Sequence, residues 1–204
     1  MSGLAELLGE TGPLKDCVHG FSPRIEQQQM AEATAETIAA SSTLIVEAGT
    51  GTGKTFAYLM PALLSGKKVI ISTGTRHLQD QLFGKDLPVV RKALNAPVHS
   101  ALLKGRSNYL CWHRLQTAAG EGRQLSGKQL HELEEVRAWS GHTASGDIAE
   151  LGLVSEDSVV WPRVTSTVEN CLGQECEFFQ DCFVVKARRN AMEADIVVIN
   201  HHLL

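Results

Sequence analysis

No stretch of this 204-residue sequence approaches the ~18 consecutive apolar residues that suggest a membrane span, which argues against an integral membrane protein. The opening "MSGLAELLGETG" lacks the basic start and apolar run of a secretory signal, so a cytoplasmic protein is expected. Internal repeats and low-complexity tracts are also missing, so a repeat array is not expected. Charge of one sign does not dominate: the net charge is −4, which neither demands nor forbids nucleic acid, and any basic track must be local. What remains is ordinary globular material, 43% hydrophobic and 21% charged, long enough for one substantial core and a small second module. The five cysteines are an odd number, and in a reducing compartment they read as metal ligands or reactive thiols before disulfides.

Along the chain, "TLIVE" at 43–47 predicts a strand, a glycine-rich turn follows, and "KTFAYLMPALL" predicts a helix opening on Lys54. A second strand is predicted at 67–73, "KKVIIST", ahead of a helix in "TRHLQDQLF" that Thr75 could cap and whose Leu78 and Leu82 share a face. Two β–α units in succession predict a parallel sheet covered by helices. "PRIEQQQMAEATAETIAA" predicts a helix entering that sheet. Between about Lys104 and Asn190 the pattern lapses into glycine-rich stretches around one predicted helix, "GKQLHELEEVRAW", which has the character of an insertion. "ADIVVIN" at 194–200 then resumes a buried strand.

Residues 48–55, "AGTGTGKT", supply the parts of a phosphate-binding loop. Closely spaced glycines let backbone N–H groups surround phosphates at a helix N-terminus, a lysine brings charge to the β- and γ-phosphates, and a hydroxyl binds Mg²⁺. The candidates are Ala48, Gly49, Thr50, Gly51, Thr52 and Gly53 for the cradle, with Lys54 and Thr55 as the catalytic pair. Ala48 departs from the strict pattern, which has glycine there. Acidic residues to hold Mg²⁺ and position water are a separate need, and no acidic pair follows a strand here.

Cys111 lies 60 positions before Cys171, and Cys176 and Cys182 follow at intervals of 5 and 6. Four thiolates from two segments can ligate a [4Fe–4S] cluster. Zinc favours paired C-x₂₋₄-C knuckles, which only the 171–176 interval approaches, so spacing alone leaves iron–sulfur and zinc level. Cys17 lies apart near the N-terminus. Around the four stand Lys104, Arg106, Tyr109, Trp112, Arg114, Lys186, Arg188 and Arg189, a basic and aromatic set suited to a nucleic-acid backbone and base stacking. The aromatics could equally pack as an apolar cover.

In order, "PRIEQQQM", "VEAGTGTGKT", "VIISTGTRHLQDQL", "LLKGRSNYLC", "CLGQECEFFQDCFVVKAR" and "ADIVVINHHLL" resemble the iron–sulfur branch of the superfamily 2 helicases, the branch that includes XPD and DinG. The likeness spans nearly all the chain after residue 20, and alanine at the first position of the phosphate loop is common in that superfamily. It implies an α/β fold: a RecA-like P-loop parallel sheet, the incomplete first motor domain, with an inserted iron–sulfur cluster domain. The implied boundaries are 1–103 for the first part of the motor domain, 104–190 for the cluster insertion and 191–204 for the returning strand, with the Asp-Glu-Ala-His box beyond. It further implies adenine recognition by Arg24 and Gln27, DNA-backbone contacts from Thr73 and Thr75, and a [4Fe–4S] cluster on Cys111, Cys171, Cys176 and Cys182. With Arg106, Tyr109, Lys186 and Arg189 these complete the DNA-binding candidates. ATP and Mg²⁺ are the other implied cofactors. The implied activity is 5′-to-3′ movement on single-stranded or forked DNA, in repair or fork rescue, by a monomeric, bacterial, nucleoid-associated protein with a replication or repair partner. The competing expectation is a scaffold without motor activity that responds to nucleotide and redox state.

Overall fold

The computed structural model of the chain describes residues 3–120 and 126–203, which form two compact units. One comprises Met1–Leu102 and Glu193–His201, the other Leu103–Met192 and His202–Leu204. Among the described residues no helix is long and apolar enough to cross a membrane.

In the first unit, two short helices, α1 (Leu4–Leu7) and α2 (Leu14–Cys17), precede α3 (Ile25–Ala40), which packs on α4 (Lys54–Leu64). β1 (Val69–Thr73) and β3 (Ile196–Asn200) run parallel, with Val69 opposite Ile196 and Thr73 opposite Asn200. β2 (Ser100–Leu103) flanks β3 on its other side, giving the order β1-β3-β2. β3 is therefore central, and its β-branched run Ile196–Ile199 is buried throughout, as a strand covered on both faces requires. Leu8, Leu14, Leu59, Met60, Leu87 and Val198 meet in the core of this unit.

After β1, Thr75 caps α5 (Arg76–Gln81) by accepting a hydrogen bond from the Leu78 N–H at 3.2 Å. The helix passes through a π-helical turn at Leu82–Asp86 into α6 (Leu87–Leu94). Pro88 explains the wide turn: it has no N–H for the carbonyl four residues back, and a local π register removes the clash. The predicted Leu78–Leu82 apolar face is only half used, since Leu82 is buried and Leu78 is 50% exposed.

The strand predicted at 43–47 is not formed. Residues 42–49 take no regular secondary structure, and Leu44, Ile45 and Val46 are exposed, Ile45 by 92%. β propensity expresses packing against a neighbouring strand, and no strand among the described residues pairs with this one.

The second unit has its own apolar core. α7 (Trp112–Gly120), α8 (Gly127–Ser140), α9 (Trp161–Val164) and α10 (Phe183–Glu193) bring Leu110, Leu115, Val136, Trp161 and Phe183 together. A capping box starts α8: Ser126 Oγ accepts from the Gln129 N–H and Gln129 Oε1 accepts from the Ser126 N–H. Leu133 and Val136 of this helix are buried, while Leu130 is 40% exposed. Leu151, Val154 and Val160, from the stretch that shows no periodicity, complete the same core.

Candidate functional site

Two arrangements carry chemistry, one in each unit. In the first, residues 48–53 lead into α4, whose first residue is Lys54. Gly51 and Gly53 have φ of +78° and +77°, conformations that L side chains rarely adopt. Gly53 is constrained a second time, because a Cβ there would lie 2.1 Å from Gln27 Nε2. That amide nitrogen donates to the Gly53 carbonyl at 2.9 Å, and the Arg24 guanidinium donates to the Gly51 carbonyl. Gln27 is 3% exposed, and its Oε1 is buried without a hydrogen-bond partner among the described residues. Thus Arg24 and Gln27, more than twenty positions upstream, lie directly on the glycine loop.

Lys54 Nζ donates to the Ala48 carbonyl at 2.7 Å and to the Gly49 carbonyl at 2.8 Å, so its charge is held across the start of the loop. Thr52 Oγ1 donates to the Gly49 carbonyl at 3.0 Å. Thr50 stands in the turn between Gly49 and Gly51. The Thr55 hydroxyl hydrogen-bonds Tyr58, whose phenol is pushed up by burial, against the effect of that hydrogen bond and with help from nearby Asp86.

In the second unit, Cys111, Cys171, Cys176 and Cys182 line one cavity of about 90 Å³, together with Arg106 and Arg188 and the apolar side chains of Leu110, Phe179, Val184 and Val185. All four cysteines are unpaired thiols and partly exposed. Cys111 immediately precedes α7 and Cys182 immediately precedes α10. Their carbonyls accept the first intrahelical bonds, from Leu115 and Lys186, each at 2.9 Å, which makes both cysteines N-caps. Burial pushes the Cys111 thiol up. The backbone N–H of Arg114 opposes this, neighbouring Cys182 and Cys176 reinforce it, and the N–H of His113 opposes it again. Cys171 Sγ accepts from the Gly173 N–H at 3.4 Å.

Four soft sulfurs, two of them at the positive ends of helices, form a donor set suited to an anionic iron–sulfur centre. Among the described residues, no group of three or more His, Cys, Asp or Glu side chains, the four cysteines included, is gathered as a metal-binding group.

The nucleic-acid candidates separate by burial. Thr75 is exposed and spends its hydroxyl oxygen on capping α5. Thr73 Oγ1 lies 3.2 Å from the Thr75 carbonyl. Arg106 borders the thiol cavity. Lys186 pairs with Asp181 at 3.0 Å, and Arg189 is exposed on the same helix. Tyr109 is a correction: it is 4% exposed within the core, and its hydroxyl accepts from the Lys104 N–H at 3.0 Å, so its ring is not available to stack on a base. Lys104 is a second correction. Its ammonium lies 2.7 Å from Asp147 with 4% of the side chain exposed, a buried ion pair and not a track for phosphates. Asp147 and Gly146 were not legible as site-building residues, because a glycine-rich stretch carries no periodic signal.

A glycine loop that opens a helix on Lys54, beside a parallel strand pair and with an Arg and a Gln hydrogen-bonded to its carbonyls, has the parts of a nucleotide-binding P-loop. Residues 26–120 match the DEAD/DEAH box helicase family. ATP and Mg²⁺ are the cofactors expected of such a domain.

The chain is similar to two proteins named ATP-dependent DNA helicase YoaA. It is 55% identical to that of Escherichia coli K12 over 192 residues, 94% of this chain and 30% of the relative. It is 50% identical to that of Haemophilus influenzae over 200 residues, 98% of this chain and 31% of the relative. It is also 37% identical over 207 residues to the ATP-dependent helicase DinG of Mycobacterium tuberculosis, across 91% of this chain and 31% of that protein. The chain thus spans about 30% of the length of these curated relatives.

Proposed function

We propose that the chain is the nucleotide-binding front part of an ATP-dependent DNA helicase of the DinG and YoaA type, in which residues 104–190 insert an iron–sulfur module into a RecA-like domain. One observation carries this reading: cysteines from segments 60 positions apart line a single cavity in a chain homologous to DNA helicases. Cys111, Cys171, Cys176 and Cys182 would hold the [4Fe–4S] cluster, which supplies a covalent clamp between the two segments.

The loop 48–55 would hold the phosphates of ATP. Phosphate oxygens are stronger acceptors for an ammonium than peptide carbonyls, so Lys54 would exchange the Ala48 and Gly49 oxygens for the β- and γ-phosphates, and Thr55 would turn its hydroxyl to Mg²⁺. The buried Gln27 amide, with one oxygen lacking a donor, suits the exocyclic amine of adenine. Thr73, Thr75, Arg106, Lys186 and Arg189 remain the proposed DNA-backbone contacts, being hydroxyl and cationic side chains of the kind that meet phosphates and not base edges. The proposed activity of the whole protein is 5′-to-3′ translocation on single-stranded or forked DNA with a repair or replication partner. The 204-residue chain should bind ATP and hydrolyse it poorly, because no acidic pair follows a strand.

Anaerobic purification with iron and sulfide analysis tests the reading. About four of each per chain are expected for a [4Fe–4S] cluster, together with a fluorescent ADP analogue that Lys54→Ala no longer binds. Zinc in place of iron, or nucleotide binding indifferent to Lys54, would overturn it.

A further inference from the structure

The Gly146–Asp147 turn lies against both chain segments that present the N-cap cysteines. On one side the Gly146 carbonyl accepts from the Leu110 N–H at 2.8 Å, and Asp147 forms an antiparallel bridge with Tyr109, so the residues just before Cys111 are laid against the turn. On the other side a Cβ at Gly146 would fall 2.3 Å from Phe183 Cγ; the turn therefore touches the ring of the residue just after Cys182, at a φ of +66°.

Asp147 is fixed in turn by two contacts. Its Oδ1 accepts from the Ala149 N–H at 3.1 Å, and its Oδ2 lies 2.7 Å from Lys104 Nζ with 14% of the side chain exposed. Lys104 closes the circuit, because its own N–H donates to the hydroxyl of Tyr109. Neither Lys104 nor Asp147 touches the thiol cavity, whose lining they do not join.

We infer that Lys104 and Asp147 are positioning residues for the thiol site: their buried ion pair pins the 146–147 turn as a spacer between the Cys111 and Cys182 segments. A buried pair of this kind contributes little net stability compared with an apolar pair of similar size, but it fixes one geometry. That is what a four-sulfur site drawn from two segments needs, because the turn settles how far apart two of its ligands stand. The inference rests on the thiol site proposed above, and its test has one readout that needs no cluster.

In the cluster-free, fully reduced chain, iodoacetamide labelling mapped by mass spectrometry gives the alkylation rate of each cysteine. Asp147→Asn should raise the Cys111 rate about tenfold, leave distant Cys17 unchanged as an internal control, and preserve far-ultraviolet circular dichroism. Lys104→Met with Asp147→Leu, which fills the space without charge, should restore the melting temperature of the unit but not the protection of Cys111. In the anaerobically loaded chain, both Asp147→Asn and the double variant should release iron to a chelator about tenfold faster than the parent.

An unchanged Cys111 rate in Asp147→Asn overturns the inference, as does full return of protection in the double variant, since packing alone would then set the thiol. Should the parent chain take up no iron and sulfide, the cluster reading fails, and the alkylation rates still decide the role of the pair.

Discussion

Trp112 and Phe183 stack with ring centroids 5.5 Å apart and planes inclined by 29°, and each directly follows a cysteine of the thiol cavity. The first residues of α7 and α10 are therefore packed on one another. Phe183 is 4% exposed and also covers Gly146, so Phe183→Ala removes the ring on which both contacts depend. The expected cost is about 3–5 kcal/mol, as for large core aromatics. Urea unfolding followed by circular dichroism would measure it, and a loss under 1 kcal/mol would mean the stack is incidental.

Residues 171–181 contribute nothing to the buried core of their unit; Cys182 only borders it. Removal of a cluster should accordingly loosen this segment while α7 to α10 remain folded. Hydrogen exchange on loaded and stripped protein should show lost protection confined to 171–182. Global loss across the unit would instead show that the metal, and not the apolar core, folds it.

Gly53 accepts no side chain for two separate reasons, its positive φ and the Gln27 amide. Gly53→Ala should destabilise the chain by about 1–3 kcal/mol and abolish nucleotide binding, whereas Lys54→Ala should abolish binding with little change in stability. Parallel melting curves and fluorescent-nucleotide titrations would separate the two variants.

Ile45 presents an apolar side chain to solvent in a segment of strand-like composition that joins no ladder. Such a segment is a template for strand pairing between molecules. Ile45→Lys should reduce self-association of the 204-residue chain, seen by light scattering against concentration. No change would show that the segment is protected.

Burial pushes the Asp86 carboxyl up, against the hydrogen bond from Gln81 and the charge of Lys85. A carboxyl with a raised folded-state pKa binds its proton more tightly in the native state. Its contribution is therefore favourable at low pH and lost as pH rises from the ordinary aspartate value through the folded value. Asp86→Asn should stabilise the chain at neutral pH relative to the parent, with the advantage vanishing in acid. Melting temperatures across a pH series test the sign.

The phosphate loop was legible because every part of it is local: glycines, lysine and threonine in one run, followed by a helix. Strands β1 and β3 were legible for the same reason, as were the Thr75 cap and α8. The 43–47 segment misled because its composition reports propensity, while a strand exists only with a partner. Tyr109 and Lys104 misled because proximity in sequence to cysteines and cations says nothing about which way a side chain faces; one entered the core and the other found Asp147, 43 positions away. The core of the second unit was hidden for another reason. Leu151, Val154, Val160 and Trp161 come from short turns and a four-residue helix, too brief to show a period.

All three tryptophans of the chain, Trp112, Trp139 and Trp161, pack on the core of the second unit. Intrinsic indole emission is consequently a native optical gauge of that unit alone, silent to melting of the nucleotide-binding half. An unfolding curve read by fluorescence and one read by an added dye on the phosphate loop would track different halves of one polypeptide, with no label on the first.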